Sequence, residues 1–157
     1  MGGTPATVAL TAAGVTFTLH TYEHNPASTS YGLEAAHALG LAPELVFKTL
    51  VADIDGHQHI AVVPVTGSLD LKALAHAVGG KRATMADPVQ AERTTGYVLG
   101  GISPLGQRRS LPTTVDESAL LYITIYISAG KRGCDIGLAP SDLIRLTNAI
   151  TAPIARA

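Results

Sequence analysis

Four of the 16 glycines fall in residues 95–107, and Pro104 lies between the third and the fourth. A glycine inside a helix or strand costs about 0.5–1 kcal/mol relative to alanine, so this density predicts a loop. Pro104 restricts φ and stiffens the end of that loop. Main-chain N–H groups in a stiff, open loop can donate to an oxyanion or a carbonyl oxygen. The stretch therefore indicates either an amide site for an acyl group or anion, or an ordinary glycine-rich surface turn.

Lys48 interrupts the apolar run 46–52, whose composition is that of a β-strand. Because side chains alternate along a strand, Lys48 shares a face with Val46 and Leu50, which are both apolar. A lysine in these surroundings either extends its ammonium group along the apolar surface to solvent or occupies a pocket for an anion or carbonyl. Lys48 is therefore a candidate binding residue.

Residues 128–133 combine two glycines with two adjacent cations, Lys131 and Arg132. A phosphate-binding Walker loop ending at Lys131 would need glycine in place of Ile125 and Ser or Thr in place of Arg132, so the sequence does not contain this motif. The remaining pattern predicts a turn at the end of a strand. Such a turn serves either as a phosphate or ribose contact or as a solvated hairpin tip.

Other chemistries lack a matching residue pattern. The lone Cys134 excludes an internal disulfide and a cysteine-based zinc site, and we interpret it as a buried structural residue. His57 and His59 share a strand face without a third ligand, so neither a metal site nor a cofactor is predicted. No Ser–His–Asp spacing or carboxylate pair is evident in the sequence. Any hydrolysis is therefore expected to depend on positioning and on backbone donors.

The composition predicts a single globular domain over residues 1–157. The formal net charge of −1 argues against tight, unaided binding to a phosphate backbone. The lack of tryptophan disfavours a broad aromatic platform for stacked bases. No segment has the charge and apolar length expected for export or membrane spanning. We therefore expect a soluble, cytoplasmic protein without a membrane partner.

The predicted elements alternate between helices and strands. Capping signals predict helices that begin after Thr4, Asp70 and Asp87. Two more helices are predicted over residues 31–39 and 140–150. Strands are predicted over residues 15–22, 46–52, 59–65, 112–116, 122–128 and 134–138, with an Asp-Gly hairpin turn at 55–56. The pattern predicts an α/β (α+β) fold, with a mixed, partly closed β-barrel flanked by helices.

Several short motifs together resemble one known family. They are residues 20–24, 47–50, 69–72, 85–88, 95–97, 100–107 and 130–133. In order and spacing, from near residue 5 to near residue 148, they resemble the YbaK family, which comprises free-standing relatives of the editing domain in bacterial prolyl-tRNA synthetase. The form Gly-Gly-Ile-Ser-Pro-Leu-Gly-Gln at 100–107 looks like the Cys-tRNA(Pro) deacylase branch rather than the branch that clears Ala-tRNA(Pro).

The resemblance implies hydrolysis of the ester that joins a mischarged cysteine to the 3′-terminal adenosine of tRNA(Pro). It implies catalytic roles for Lys48, Gly100 and Gly101. It implies substrate-binding roles for a larger set of residues, namely Tyr22, Thr49, Ile102, Ser103, Pro104, Ser128 and Asp135. In the family, the cysteine thiol is thought to attack its own ester carbonyl and to expel the tRNA as a thiolactone forms. That substrate-assisted reaction depends on orientation and needs no general base.

The resemblance also implies two partners. One is mischarged tRNA(Pro), bound at its 3′ aminoacyl-adenosine end, and the other is prolyl-tRNA synthetase, which would supply affinity that a net charge of −1 does not. Two alternatives stay open at this point. One is a deacylase for Ala-tRNA(Pro) or for a broader set of aminoacyl-tRNAs. The other is a non-catalytic module that binds tRNA ends or nucleotides and regulates a synthetase.

Overall fold

The computed structural model describes residues 3–157, and these form five α-helices and ten β-strands. The helices are α1 (Pro5–Ala12), α2 (Tyr31–Leu39), α3 (Leu71–Ala77), α4 (Pro88–Thr95) and α5 (Pro140–Thr147). The strands are β1 (Thr18–Thr21), β2 (Phe47–Ile54), β3 (His57–Pro64), β4 (Ser68–Leu69), β5 (Ala83–Met85), β6 (Thr113–Asp116), β7 (Ile125–Lys131), β8 (Cys134–Leu138), β9 (Ile150–Ala152) and β10 (Ala155–Arg156). Within the described range, no helix combines the length and the apolar character needed to cross a membrane.

The strands form three hydrogen-bonded sheets. The largest has the order β5-β2-β3-β6-β9, in which the β2–β3 and β2–β5 pairs are antiparallel and the β3–β6 and β6–β9 pairs are parallel. A second, antiparallel sheet has the order β1-β8-β7, and β10 pairs with β4. The predicted mixed α+β class is confirmed. The sheets do not close into a barrel, although a parallel bridge between Val46 and Tyr126 connects the two larger ones.

Local capping signals set three helix starts. The side chains of Asp70 and Asp87 cap α3 and α4 by accepting a backbone N–H at 3.0 Å and 3.1 Å, and Thr4 caps α1 in the same way at 3.3 Å. Pro5 and Pro88 occupy the first turns of α1 and α4, where a missing N–H costs nothing. These starts agree with the sequence prediction because a cap is a property of three or four adjacent residues.

The structure corrects several predicted boundaries. β1 begins at Thr18 rather than at residue 15, and β7 runs from Ile125 to Lys131 rather than over 122–128. The turn between β7 and β8 is consequently Arg132–Gly133, and a β-bulge interrupts the β7–β8 pairing between Ser128 and Lys131. The sequence pattern misses this shift because a bulge changes the pairing without changing the residue types.

Four short strands have no sequence prediction. β4, β5, β9 and β10 contain only two or three residues each. β10 pairs with β4, more than eighty positions earlier in the chain, and β9 pairs with β6. Alternation over two or three residues carries no usable period, so only the tertiary partner defines such strands.

Apolar side chains fill both faces of the five-stranded sheet. On one face, Phe47 and Val51 of β2 pack with Ile127 of β7, Ile136 of β8 and Leu10 of α1. On the opposite face a second cluster includes residues of β2, β3 and α3. The three-stranded sheet contributes Ile127 and Ile136 to the main apolar cluster from one face, while Tyr126 on its other face packs against a small third cluster. The polar side chains of Ser128 and Asp135 also lie on that other face.

Candidate functional site

A cavity of about 570 Å³ lies between the three-stranded sheet, β2, the start of α2 and the glycine-rich stretch 95–107. This volume falls within the range of about 300–1,000 Å³ that is typical of small-molecule sites. Seven of the ten predicted site residues line it, namely Tyr22, Lys48, Thr49, Gly100, Ile102, Ser128 and Asp135. The other three predicted residues, Gly101, Ser103 and Pro104, do not line it.

The cavity occupies a gap beside β2. β5 pairs only with Ala52–Ile54, so within the described chain Lys48, Thr49 and Leu50 pair with no strand on that side of β2. Lys48 and Thr49 lie in this segment and line the cavity. A short neighbouring strand therefore leaves room for a ligand while the β2–β3 pairing holds the backbone of Lys48 opposite Val63.

Lys48 and Thr49 present polar groups without protein partners. The Lys48 side chain is partly buried, and this desolvation lowers the pKa of its ammonium group. Within residues 3–157, no carboxylate lies within ion-pair distance of Lys48. The Thr49 Oγ1 atom is buried and accepts or donates no hydrogen bond in the described chain. Leaving a buried hydroxyl group without a partner costs stability.

The opposite wall is the polar face of the three-stranded sheet. Ser128 of β7 and Asp135 of β8 are directly paired, so their side chains point to the same face. Tyr22 follows β1, and its N–H donates to the Gly133 carbonyl at 2.9 Å. The strand pairing and this hydrogen bond place three polar side chains on one wall of the cavity. They are the hydroxyl groups of Tyr22 and Ser128 and the carboxyl group of Asp135.

Asp135 is a buried carboxyl group with a perturbed acidity. It is 6% exposed, and its carboxyl oxygens make no hydrogen bond with any described residue. Burial raises the pKa of Asp135 to about 7, because a low-dielectric environment disfavours the charged form. Burial, together with the nearby Asp135, raises the pKa of Tyr22 to about 12. Asp135 can therefore change its charge near neutral pH when a cationic ligand approaches.

The glycine-rich stretch contributes main-chain groups to the cavity. Gly100 has φ +81° and lines the cavity, and its N–H donates to no acceptor among the described residues. The Gly101 N–H, in contrast, donates to the Val98 carbonyl at 3.0 Å in a turn. Its α-carbon also packs against the backbone of Lys131. The two adjacent glycines thus differ, because the Gly101 N–H is used within a turn and the Gly100 N–H has no acceptor among the described residues.

Ser103 and Pro104 lie away from this cavity. Ser103 is fully buried, its Oγ accepts the Leu105 N–H at 3.3 Å, and its carbonyl accepts the Gln107 side-chain amide at 3.0 Å. Pro104 lines a separate, smaller cavity of about 180 Å³. Both residues shape the loop, and neither lines the cavity that contains Lys48.

The cysteine and the two histidines considered in the sequence analysis lie outside this cavity. Cys134 is 2% exposed in the core, and burial raises the pKa of its thiol, which keeps the reactive thiolate scarce. His57 and His59 line a different, more polar cavity. Over the described chain, no cluster of three or more His, Cys, Asp or Glu side chains has the geometry to hold a metal ion.

Three residues at or beside the cavity were not identified from the sequence, namely Tyr31, Leu99 and Glu92, and Arg132 was identified only as a cation of the turn after β7. Tyr31 and Leu99 line the cavity. The Leu99 N–H donates to Glu92 Oε2 at 2.9 Å, and its carbonyl accepts the Arg132 Nε–H at 2.9 Å. The Arg132 guanidinium also lies over the Tyr31 ring, 4.7 Å from its centroid. These contacts join segments that are far apart in sequence, so only the cations at 131–132 gave any signal.

Solved structures share the fold over nearly the whole chain. A crystal structure of a proposed trans-editing enzyme for prolyl tRNA synthetase superposes with a TM-score of 0.82 at 28% identity, and the match covers 98% of this chain and 96% of that one. The hypothetical protein APE2540 has a TM-score of 0.87 at 23% identity, covering 98% and 100% of the two chains, which shows a common fold. The architecture is thus that of an editing domain.

Sequence relatives define the family. The model of the aminoacyl-tRNA editing domain matches residues 24–146. EbsC of Enterococcus faecalis, a proposed Cys-tRNA(Pro)/Cys-tRNA(Cys) deacylase, is 43% identical over 122 residues, which cover 76% of this chain and 73% of EbsC. The multifunctional Ser/Thr-tRNA deacylase ProXp-y of Escherichia coli K12 is 30% identical over 104 residues, which cover 63% of this chain and 62% of ProXp-y. The chain belongs to the aminoacyl-tRNA editing domain family. The resemblance to the YbaK family and the predicted aminoacyl-tRNA deacylase class are confirmed.

Proposed function

We propose that this deacylase edits in trans and removes cysteine from mischarged Cys-tRNA(Pro). The observation that carries the proposal is that Lys48, Gly100 and Asp135 line one cavity in a chain 43% identical to EbsC. They offer a cation, a free main-chain N–H and a buried carboxyl group. An aminoacyl ester on a nucleotide presents the complementary groups, which are phosphate, a carbonyl oxygen and an α-ammonium. The proposal includes a cytoplasmic location, because aminoacyl-tRNA is consumed there.

In the proposed complex each of the three groups has its own task. The Gly100 N–H donates to the ester carbonyl oxygen as that oxygen gains charge, and a donor of this kind contributes about 3–4 kcal/mol in known cases. Lys48 stabilises negative charge on the carbonyl oxygen or on the terminal phosphate. Asp135 accepts the substrate's α-ammonium, which favours the ionised carboxylate. The hydroxyl groups of Tyr22 and Ser128 lie on the same wall as Asp135 and complete its polar surroundings.

The substrate's own thiol is the proposed nucleophile. Its sulfur attacks the ester carbonyl carbon, a C–S bond forms and the C–O bond to the ribose breaks. The thiol proton ends on the ribose oxygen that leaves, and water then opens the thiolactone to free cysteine. Within this scheme the protein supplies orientation, which can replace much of the entropic cost of the reaction. Proline and alanine esters lack the thiol, so they would persist.

The test of the site is the release of amino acid by Lys48→Ala. We expect kcat/KM for Cys-tRNA(Pro) to fall at least about 100-fold, because Lys48 is the one lysine among the described residues that line the cavity. Lys72→Ala is the matched control, since Lys72 is an exposed lysine on α3, outside the cavity. Thermal unfolding of both variants establishes that they are folded. Equal turnover of Lys48→Ala and Lys72→Ala would reject the site.

Substrate choice tests the nucleophile in the same assay. An ester of 2-aminobutyrate, in which a methyl group replaces the thiol, should resist cleavage while the cysteine ester is cleaved. The second candidate function is a broader deacylase, and the 30% identity to the Ser/Thr-tRNA deacylase ProXp-y favours it. That function predicts release of serine as well as cysteine from tRNA. Comparable cleavage of the 2-aminobutyrate ester would exclude thiol attack in either case.

The proposal extends to prolyl-tRNA synthetase as a partner. A formal net charge of −1 provides little general attraction for tRNA, because phosphate binding depends on clustered cations. A synthetase that already holds the tRNA would deliver the acceptor end at high effective concentration. The structural neighbour described as a trans-editing enzyme for prolyl tRNA synthetase supports this partner.

A further inference from the structure

Arg132, in the turn between β7 and β8, has a side chain that two contacts hold in place. Its Nε–H donates to the Leu99 carbonyl at 2.9 Å, and its guanidinium lies 4.7 Å from the centroid of the Tyr31 ring. The side chain is nevertheless exposed to solvent. One hydrogen bond and one cation–π contact therefore orient a charged group that would otherwise be mobile at the tip of a hairpin.

The oriented guanidinium retains most of its binding capacity. An arginine has five N–H donors, and only the Nε–H of Arg132 is used within residues 3–157. No carboxylate of the described chain lies within 4.0 Å of it, although such a partner is the usual reason for fixing an arginine. The planar fork formed by its two terminal nitrogens matches two oxygens of a phosphate group.

The position of Arg132 relates it to the cavity. Both of its partners, Leu99 and Tyr31, line the cavity, whereas Arg132 itself is exposed and does not, so the guanidinium lies at the rim of the cavity. The Tyr31 ring in turn packs on Gly100, where an added β-carbon would lie only 2.7 Å from it. Arg132 is thus one residue layer away from the free amide of Gly100. A nucleotide chain leading out of the cavity over this rim would bring a phosphodiester group to Arg132.

We propose that Arg132 binds a phosphodiester group of the tRNA acceptor end and thereby sets the path of the strand out of the cavity. The inference rests on the proposed function, since it needs the 3′-terminal adenosine in the cavity. Phosphate binding at this rim supplies local attraction that the overall charge does not provide. The adjacent Lys131 has the same charge and is also exposed, but it makes no side-chain contact of this kind. Lys131 is therefore a matched control for charge alone.

The experiment compares Arg132→Gln with Lys131→Gln on two substrates. One is Cys-tRNA(Pro), and the other is 3′-cysteinyl adenosine, which has no phosphate. For Arg132→Gln we expect KM for the tRNA to rise about tenfold with kcat changed less than twofold, and both constants for the adenosine ester to change less than twofold. The dependence of log(kcat/KM) on log[salt] should become shallower by about 0.7, the value for one single-strand phosphate. Lys131→Gln should raise KM less than threefold.

Two outcomes would overturn the inference. An unchanged KM for the tRNA would mean that Arg132 contacts no phosphate. Equal losses on both substrates would mean that Arg132 acts only by supporting Tyr31 and Leu99. Arg132→Lys sharpens this distinction, because it keeps the charge but loses the planar fork and is expected to restore only part of the affinity.

Failure of the inference and failure of the proposed function give different results. An acceptor-stem minihelix that ends in CCA and carries no amino acid reports the phosphate contact without any reaction. Its binding is measured by fluorescence anisotropy. If the wild type cleaves Cys-tRNA(Pro) and Arg132→Gln binds the minihelix normally, the inference fails and the function stands. If the wild type releases no amino acid but Arg132→Gln weakens minihelix binding more than Lys131→Gln does, the function fails and the phosphate contact stands.

Discussion

Gly100 and Gly106 belong to one glycine-rich stretch, but they face different surroundings. Gly100 lines the cavity, and a β-carbon added there would meet the Tyr31 ring. Gly106 lies against α1, and a β-carbon added there would overlap backbone atoms of Pro5, including its carbonyl carbon at 2.5 Å. An aromatic side chain can rotate away, whereas the backbone of a packed helix cannot. The same residue type thus serves ligand access at one position and close packing at the other.

The largest expected effect is on stability at the packed position. Gly106→Ala should destabilise the protein by about 4 kcal/mol, because the new methyl group meets helix backbone and the positive φ adds strain. Gly14→Ala is the control, since Gly14 has a similar φ of +69° with nothing within 4 Å of an added β-carbon. It should cost only about 1 kcal/mol. Equal midpoints for the two variants in urea unfolding would show that the contact with Pro5 is unimportant.

At the cavity position we expect the activity to change instead. Gly100→Ala displaces the Tyr31 ring and narrows the approach to the free amide, so release of cysteine should fall at least about tenfold. Its loss of stability should exceed the cost of Gly79→Ala, about 1 kcal/mol, because Gly79 has a φ of +74° in open space. It should stay below that of Gly106→Ala, because a side chain rather than helix backbone has to move. Full activity of Gly100→Ala, measured as the initial rate of cysteine release, would show that Gly100 is not part of the site.

The same division into core-facing and cavity-facing positions occurs on β8. Cys134 packs in the main apolar cluster, while its neighbour Asp135 points to the cavity from the opposite face. Both residues are nearly fully buried, at 2% and 6% exposure. Burial alone therefore does not separate a structural residue from a candidate functional one, and the face of the strand does.

A separate, pH-dependent effect on stability concerns the acidity of Asp135. Its pKa of about 7 in the folded protein exceeds the ordinary value of an aspartate. Between about pH 4 and pH 7, the folded state therefore holds a proton on this carboxyl group that the unfolded chain has lost. Stability from this group is therefore greatest at low pH and is lost as the pH rises through 7. Asp135→Asn should raise Tm at pH 8 by several degrees, and this gain should shrink as the pH falls towards 4.

Cys134→Ala provides the comparison for that measurement. It removes a core side chain that does not titrate over this range, so its effect on Tm should be similar at pH 5 and pH 8. A gain in Tm for Asp135→Asn that stays constant from pH 8 to pH 4 would contradict the elevated pKa of Asp135.

The predictable part of the fold consists of features that depend on neighbouring residues. The caps at Thr4, Asp70 and Asp87 and the hairpin turn at Asp55–Gly56 all follow from short sequence patterns. The two- and three-residue strands β4, β5, β9 and β10 do not, because each exists only through a partner far away in the chain. The gap beside β2 follows from the shortness of β5, and it too lacks a local signal.

The candidate site divides in the same way. Residue types and spacing were sufficient to single out Lys48 and the glycine-rich stretch and to support the family resemblance, because motifs are local. Whether Gly100 or Gly101 keeps a free N–H depends on a turn closed by the Val98 carbonyl. The contact of Arg132 with Tyr31 and Leu99 depends on three segments that meet only in the folded chain. Sequence therefore determines which chemical groups are present, and tertiary packing decides which of them remain unpaired beside the same cavity, because pairing and burial depend on distant segments.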